Sequence, residues 1–228
     1  PPLVTRTGGY PIGFRRGWSE WQADLAAVLG WAGQNGLSVI DLGGDLAAVD
    51  AAVGAGLKVG SVDLLRMSDF LSPDAGVRRA ATEANRDLVA GSAEKGVRAF
   101  FAVMIPQDRS LSRRESFGHM VDGLGELAGV LETYGGRLAI EGWPGPGALA
   151  CTPADYKALL TEIPSKAIGV NFDPSHLIRM GIDALRFLHE VADRVAHVHG
   201  KDTRIDRAAL QELGWEQPAT FAASPDFG

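Results

Sequence analysis

The stretch that decides the fold is residues 168–202, IGVNFDPSHLIRMGIDALRFLHEVADRVAHVHGKD. It predicts two short apolar strands joined by a helix, because runs of Val, Ile and Phe flank a segment whose apolar residues recur at helical spacing. Side chains that can bind a divalent metal follow or close each strand. Asp173 and His176 form D-P-S-H after the first strand, and His197 and His199 form H-V-H in the second.

The same unit repeats along the whole chain. Predicted strands cover residues 10–15, 37–42, 57–64, 97–105, 138–143, 168–172 and 195–200, and predicted helices cover 19–35, 45–53, 73–95, 112–134, 153–163, 182–194 and, weakly, 206–213. Strict alternation of strand and helix predicts parallel strands joined by right-handed crossovers. Strands that are apolar throughout predict burial on both faces of the sheet.

Two α/β architectures fit this alternation, a doubly wound open sheet and a (β/α)8 TIM barrel. No G-x-G-x-x-G follows the first strand, which disfavours a nucleotide-binding open sheet. Metal-binding side chains at three successive strand ends favour the barrel, whose active sites form at the carboxyl ends of the strands. The sequence shows seven strands, so the eighth β/α unit is lacking and residues 203–228 read as an irregular tail. We expect the missing strand to lie beyond Gly228. The alternatives are that the eighth strand comes from elsewhere or that the barrel closes in a different way.

Composition narrows the class of protein. The chain has 228 residues, of which 46% are hydrophobic, and this predicts one domain over residues 1–228. The net charge of −6 comes with scattered basic residues, so no nucleic-acid partner is expected. No apolar stretch approaches the roughly 20 residues of a membrane span, so no membrane partner is expected either. The single cysteine, Cys151, is expected to be inert and fits a reducing cytoplasm, which is the predicted location.

A third metal-ligand candidate is Glu141, which ends the strand LAIEGW about 30 residues before Asp173. His199 lies nearer its strand's carboxyl end than His197 and is the better ligand, so His197 is expected to donate a hydrogen bond in the core or behind the ligands. Alternative readings stay open. Asp173 could be a helix N-cap with His176 on the surface, and the two histidines of H-V-H could be core residues.

Further candidates lie around this predicted site. Trp143 could form an aromatic wall for a sugar ring, and Lys201 could pair with an anionic substrate group or a carboxylate. Arg15, after the first strand, could contact a substrate phosphate or carboxylate. The alternatives are that Trp143 packs in the core and that Lys201 and Arg15 are exposed to solvent at the rim of the barrel.

The segments IEGWPGPG, NFDPSHL and HVHGKD resemble the sugar phosphate isomerase/epimerase family of xylose isomerase-like TIM barrels. The resemblance implies a divalent metal held by Glu, Asp, His and a second Glu, and it places the first three on Glu141, Asp173 and His199. It also implies a contact between His176 and a substrate hydroxyl. Arg204 lies near an arginine that contacts substrate in some members. The second Glu belongs to the eighth strand.

The expected function is therefore a divalent-metal-dependent isomerase or epimerase acting on a sugar, polyol or related keto compound through an enediolate. Glu141 would be ligand and base, and His176 would orient a hydroxyl in the catalytic step. The expected cofactor is one ion, Mn²⁺ first, with Mg²⁺, Co²⁺ or Zn²⁺ as alternatives.

The alternatives are a dehydratase on the same scaffold and a non-catalytic sugar-binding protein. An endonuclease of this superfamily would need more ligands and a basic face. The oligomeric states proposed for the protein are a homodimer or a homotetramer.

Overall fold

The computed structural model of the protein describes residues 11–145, 147–201 and 203–213. One sheet of seven strands forms within these ranges, in the order of the sequence, and every neighbouring pair is parallel. The strands are β1 (Gly13–Arg15), β2 (Val39–Leu42), β3 (Lys58–Asp63), β4 (Ala99–Val103), β5 (Arg137–Glu141), β6 (Ile168–Phe172) and β7 (Val195–Val198). The predicted seven-unit TIM-barrel architecture is confirmed.

The sheet curls into a half-barrel with its helices on the outside. These are α1 (Leu25–Gln34), α2 (Leu46–Gly54), α3 (Ala75–Glu94), α4 (Arg113–Thr133), α5 (Pro153–Glu162), α6 (Pro174–Arg179), α7 (Ala184–Val191) and α8 (Arg207–Leu213). The predicted helix within the tail is confirmed as α8, and residues 214–228 of the tail lie outside the described residues. No helix in the described ranges is long and apolar enough to cross a membrane.

The first helix begins later than the sequence indicates. The predicted helix starts at residue 19, but the Ser19 hydroxyl bonds to the Gln22 side chain at 2.5 Å and a short 3-10 turn follows. The helix proper starts after Asp24, whose carboxylate accepts a hydrogen bond from Ala27 N at 3.1 Å. A side chain engaged elsewhere cannot accept the free N–H groups of the first turn, so the cap moves to the next suitable residue.

Other helix ends follow the sequence signals. Thr152 caps α5 and forms a reciprocal capping box with Asp155, with Pro153 at the first helical position. Gly36 ends the helical turn after α1 with a φ of +70°, a conformation that glycine adopts without steric cost.

Side-chain alternation separates an apolar outer face of the sheet from a polar inner face. In β2, Ile40 and Leu42 are fully buried in the core between sheet and helices, whereas Asp41 between them points to the concave side. The same alternation in β5 and β6 buries Ile140 and Val170 on the outside and turns their neighbours inward. A curled parallel sheet thus collects the polar residues of several strands in one interior.

Candidate active site

The candidate active site lies at the carboxyl ends of β5, β6 and β7. Glu141 is the last residue of β5, Asp173 directly follows β6, and His199 directly follows β7. In the sheet register, Glu141 pairs with Asn171, and Asn171 pairs with His197. Parallel strands in register bring their ends to one edge, so residues far apart in sequence meet there.

Glu141 is the centre of the site and is only 6% exposed. Its Oε2 accepts a hydrogen bond from Asn171 Nδ2 at 2.7 Å and lies 2.5 Å from His199 Nδ1, while its Oε1 lies 3.2 Å from His176 Nε2. Burial by itself raises the pKa of a carboxyl, but the hydrogen bonds from His176 and His199 outweigh it and hold the pKa of Glu141 well below its usual range. Glu141 is therefore ionised at neutral pH.

Asp173 has two roles at once. Its Oδ1 accepts hydrogen bonds from the Ser175 backbone N at 2.9 Å and the Ser175 hydroxyl at 2.6 Å, which makes it the N-cap of α6. Its Oδ2 lies 3.4 Å from His176 Nε2 and 2.7 Å from Lys201 Nζ. The N-cap reading of Asp173 is thus compatible with a ligand role, because each uses a different oxygen. The alternative position of His176 on the surface is wrong, because His176 is only 5% exposed.

His199 stands between two carboxylates. Its Nδ1 faces Glu141, and its Nε2 lies 3.7 Å from Asp41 Oδ2. Burial opposes protonation, but the interactions with Asp41 and Glu141 prevail and raise the pKa of His199 to about 9. In the absence of another cation, the imidazolium therefore supplies positive charge at this point.

Two groups of side chains could each hold a metal ion, with ligand atoms within 4.8 Å of one another, and they share His199. One is Glu141, Asp173 and His199; the other is Asp41, His197 and His199. We call Glu141, Asp173, His176 and His199 the rim cluster, and Asp41 with His197 the inner cluster. The first group fits a divalent cation: two buried anionic oxygens and an imidazole nitrogen converge, and such oxygen-rich sets suit Mn²⁺, Mg²⁺, Co²⁺ or Zn²⁺.

The other predicted site residues differ in how they lie relative to the rim cluster. Lys201 reaches the rim cluster, with its Nζ also 3.1 Å from His176 Nε2. Trp143 is half-buried just after β5, and its ring folds over Gly145, where a Cβ would come within 1.8 Å of the ring. Arg204 is exposed and makes no hydrogen bond or ion pair within the described ranges.

Arg15 is at the inner edge of the half-barrel but is engaged by the protein. Its guanidinium forms a bidentate ion pair with Asp63, at 2.9 and 2.7 Å, and lies 4.6 Å from the centre of the Phe101 ring. A fork-shaped pair of this kind fixes the arginine in one orientation. Substrate binding by Arg15 stays a prediction, and this pairing would orient it.

Sequence reasoning missed two functional neighbours. Asn171 links Glu141 to His199, with its Nδ2 also 2.9 Å from His199 Nδ1, and Asp41 bonds to His197. The available signal was strand alternation, which turns both residues to the inner face. Cys151, which the sequence analysis expects to be inert, is buried, and burial raises the pKa of its thiol to about 12, so it is a poor nucleophile.

The family comparison agrees with this geometry. A model of the xylose isomerase-like TIM barrel family matches residues 23–218, and the chain belongs to that family. The predicted resemblance is confirmed.

Solved structures of the same fold include enzymes that act on sugars. A xylose isomerase domain protein from Alicyclobacillus acidocaldarius has a TM-score of 0.70 at 18% identity, covering 86% of this chain and 74% of that one. A D-tagatose 3-epimerase-like protein has a TM-score of 0.69 at 18% identity, covering 93% and 81%. The 3-keto-D-glucoside 4-epimerase YcjR of E. coli has a TM-score of 0.70 at 16% identity, covering 88% and 85%. At these identities the likeness concerns the fold.

Curated relatives match over shorter segments. Uncharacterized protein YfiH of Bacillus subtilis is 50% identical over 72 residues, which are 32% of this chain and 22% of that protein. The inosose dehydratase of Geobacillus thermodenitrificans is 30% identical over 94 residues, 41% of this chain and 31% of that protein. The chain therefore aligns with less than a third of the length of either relative.

Proposed function

We propose that this protein is a divalent-metal-dependent isomerase or epimerase of a sugar, polyol or related keto compound. The observation that carries the proposal is the rim cluster. Two buried carboxylates, Glu141 and Asp173, face two imidazoles, and this arrangement is costly unless a cation compensates it. The enzymes among the structural neighbours that are named for sugars support the substrate class.

Glu141, Asp173 and His199 would hold the cation, with Mn²⁺ as the first candidate. When bound, a divalent cation supplies polarisation of a substrate carbonyl and stabilises negative charge that develops on its oxygen. The second metal-capable group contains only one carboxylate and shares His199, so it is the weaker candidate.

Glu141 is assigned the proton transfer. Its low pKa keeps it unprotonated at neutral pH, so it can accept the proton from the carbon next to the carbonyl. Return of that proton to the neighbouring carbon on the same face, with transfer of the hydroxyl proton to the former carbonyl oxygen, completes an isomerisation. An epimerisation returns a proton on the opposite face, and the family resemblance assigns this to the glutamate of an eighth strand.

Two further side chains would position the substrate. His176 Nε2 lies within 3.4 Å of a carboxylate oxygen of both Glu141 and Asp173 and would bond to a substrate hydroxyl beside them. Lys201 is half-exposed with its ammonium at the same point, so it would meet a negatively charged oxygen of the substrate. Trp143 would cover the sugar ring and exclude water.

A second candidate function is dehydration, because two curated relatives are named inosose dehydratase, at 30% and 28% identity over parts of their length. The first step is the same removal of a proton next to a carbonyl. The electron pair then expels the hydroxyl from the β-carbon, and the hydroxyl leaves as water with a proton. The two functions diverge only after the shared step.

The test begins with metal. Chelator-stripped protein is titrated with Mn²⁺ by calorimetry, and one ion per chain is expected, with loss of binding in Glu141→Gln and retention in Glu126→Gln, an exposed site with the same change. Loaded protein is then incubated in D₂O with D-allulose, D-tagatose, D-fructose and an inosose.

Deuterium uptake into recovered ketose or its epimer supports isomerisation or epimerisation, and loss of water from the inosose supports the dehydratase. Metal binding without exchange or dehydration would favour a binding protein, and absence of metal binding would contradict both enzyme proposals.

A further inference from the structure

The inner cluster lies directly behind His199. His197 Nε2 donates to Asp41 Oδ2 at 3.0 Å, and His199 Nε2 lies 3.7 Å from the same oxygen. The two imidazole rings are nearly perpendicular, at 86°, with centres 5.4 Å apart. The Asp41 carboxylate is thus hydrogen-bonded to His197 and faces Nε2 of His199. Glu141 lies on the opposite side of the His199 ring, at Nδ1.

The backbone makes room for this carboxylate. A Cβ added to Gly60, in the neighbouring strand β3, would come within 2.5 Å of Asp41 Oδ1 and 3.5 Å of His197 Cε1. Any side chain at position 60 would therefore push the Asp41 carboxylate away from the histidines. Three strands, β2, β3 and β7, each contribute one element of the arrangement.

One ring nitrogen of His199 lacks a hydrogen-bond partner. Its Nε2 is buried and has no hydrogen-bond partner within the described ranges, and neither does Asp41 Oδ1. If Nδ1 provides the lone pair for a cation, the proton of a neutral imidazole must be on Nε2. That proton would point toward the buried carboxylate of Asp41, whose Oδ2 lies 3.7 Å from Nε2.

We infer that Asp41 is a positioning residue that fixes the Nε2–H tautomer of His199 and so presents Nδ1 to the cation site, with His197 holding Asp41 in place. The inference rests on the proposed metal site. Histidine ligands in proteins generally donate their second ring N–H to a carboxylate or carbonyl, and loss of that partner typically weakens metal affinity by about 10–100-fold.

The experiment measures Zn²⁺ affinity and the state of the His199 ring in Asp41→Asn, His197→Gln and Gly60→Ala, with Asp50→Asn as the exposed control of the same charge change. Calorimetry on stripped protein gives affinity and stoichiometry. ¹⁵N-histidine NMR of Zn²⁺-loaded protein gives the tautomer of His199, and the spectrum of metal-free protein, in which the imidazolium carries both protons, gives the exchange rate of Nε2–H. Gly60→Ala keeps every polar group, so it tests the placement of Asp41 even if another variant does not fold.

The expected result is one Zn²⁺ per chain in all variants, with affinity reduced by about 10-fold or more in Asp41→Asn and Gly60→Ala. A slowly exchanging Nε2–H signal from His199 should be present in the wild type and lost in these two variants. Wild-type affinity and an unchanged Nε2–H signal in Asp41→Asn would overturn the inference.

Two bound ions falling to one in Asp41→Asn would also overturn it, since Asp41 would then be a ligand of a second cation. Absence of any binding by the wild type would instead refute the proposed function, and the Nε2–H signal of the metal-free protein would still test the link between Asp41 and His199.

Discussion

The rim cluster and the inner cluster are built from the same residue types and differ in how many buried carboxylates they bring together. In the inner cluster, one carboxylate, Asp41, receives a hydrogen bond from one histidine, His197. In the rim cluster, two carboxylates converge on two histidines and draw in the ammonium of Lys201. The comparison indicates that the convergence of two buried carboxylates, rather than the presence of histidine, favours the binding of a cation.

The largest effect is expected when the rim cluster loses Asp173. Asp173→Ala should weaken Mn²⁺ binding by about 100-fold or more, because a buried anionic ligand is removed. It should also lower the free energy of unfolding by about 1 kcal/mol through loss of the α6 cap. Calorimetry and urea denaturation measure the two effects.

Asp45→Ala is the matched control for Asp173→Ala. Asp45 caps α2 through Ala47 N at 2.9 Å and lies outside both clusters. It should lose the stability contribution alone and retain metal affinity. Equal metal affinity in the two variants would show that the second buried carboxylate at the rim has no part in cation binding.

The second effect concerns the charge that His199 supplies when no metal is bound. Its pKa is raised from 6.5 to about 9 in the folded chain, so its protonation stabilises the fold fully below about pH 6.5, and this contribution is lost as the pH rises through about 9. In chelator, the free energy of unfolding should fall over this interval.

Saturating Mn²⁺ should remove much of that pH dependence by replacing the proton, and His199→Gln should flatten it in chelator. His189→Gln, a change in an α7 histidine outside both clusters, should leave it unaltered. A slope that survives in His199→Gln would place the titrating group elsewhere.

The smallest effect is expected at Lys201, whose side chain is 49% exposed. Lys201→Met should tighten Mn²⁺ binding by only a few-fold, because solvent screens the competing ammonium beside Asp173. Lys166→Met removes an exposed lysine that pairs with Asp193 and should leave the affinity unchanged. Weaker Mn²⁺ binding in Lys201→Met would mean that Lys201 supports the site rather than competes with the cation.

Much of the fold was predictable, because the pattern that carries it is local. Continuous apolar strands such as Ile168–Phe172, followed by helices with caps and terminal glycines, predict a parallel barrel from periodicity alone. Glu141, Asp173 and His199 were also predictable as neighbours, since the ends of successive parallel strands meet at one edge. The predicted start of the first helix at residue 19 was wrong, because the choice between two capping side chains, Ser19 and Asp24, depends on what else each of them contacts.

The links across the half-barrel were not predictable in this way. Asp41 and His197 are separated by 156 positions in sequence and belong to strands that do not pair with each other. Their contact depends on how strongly the sheet curls and on the space above Gly60, which no local pattern encodes. The sequence alone determined which residues face the interior and which strand ends carry ligands. Only the tertiary structure decided which interior residues meet, because curvature brings non-adjacent strands within hydrogen-bonding distance.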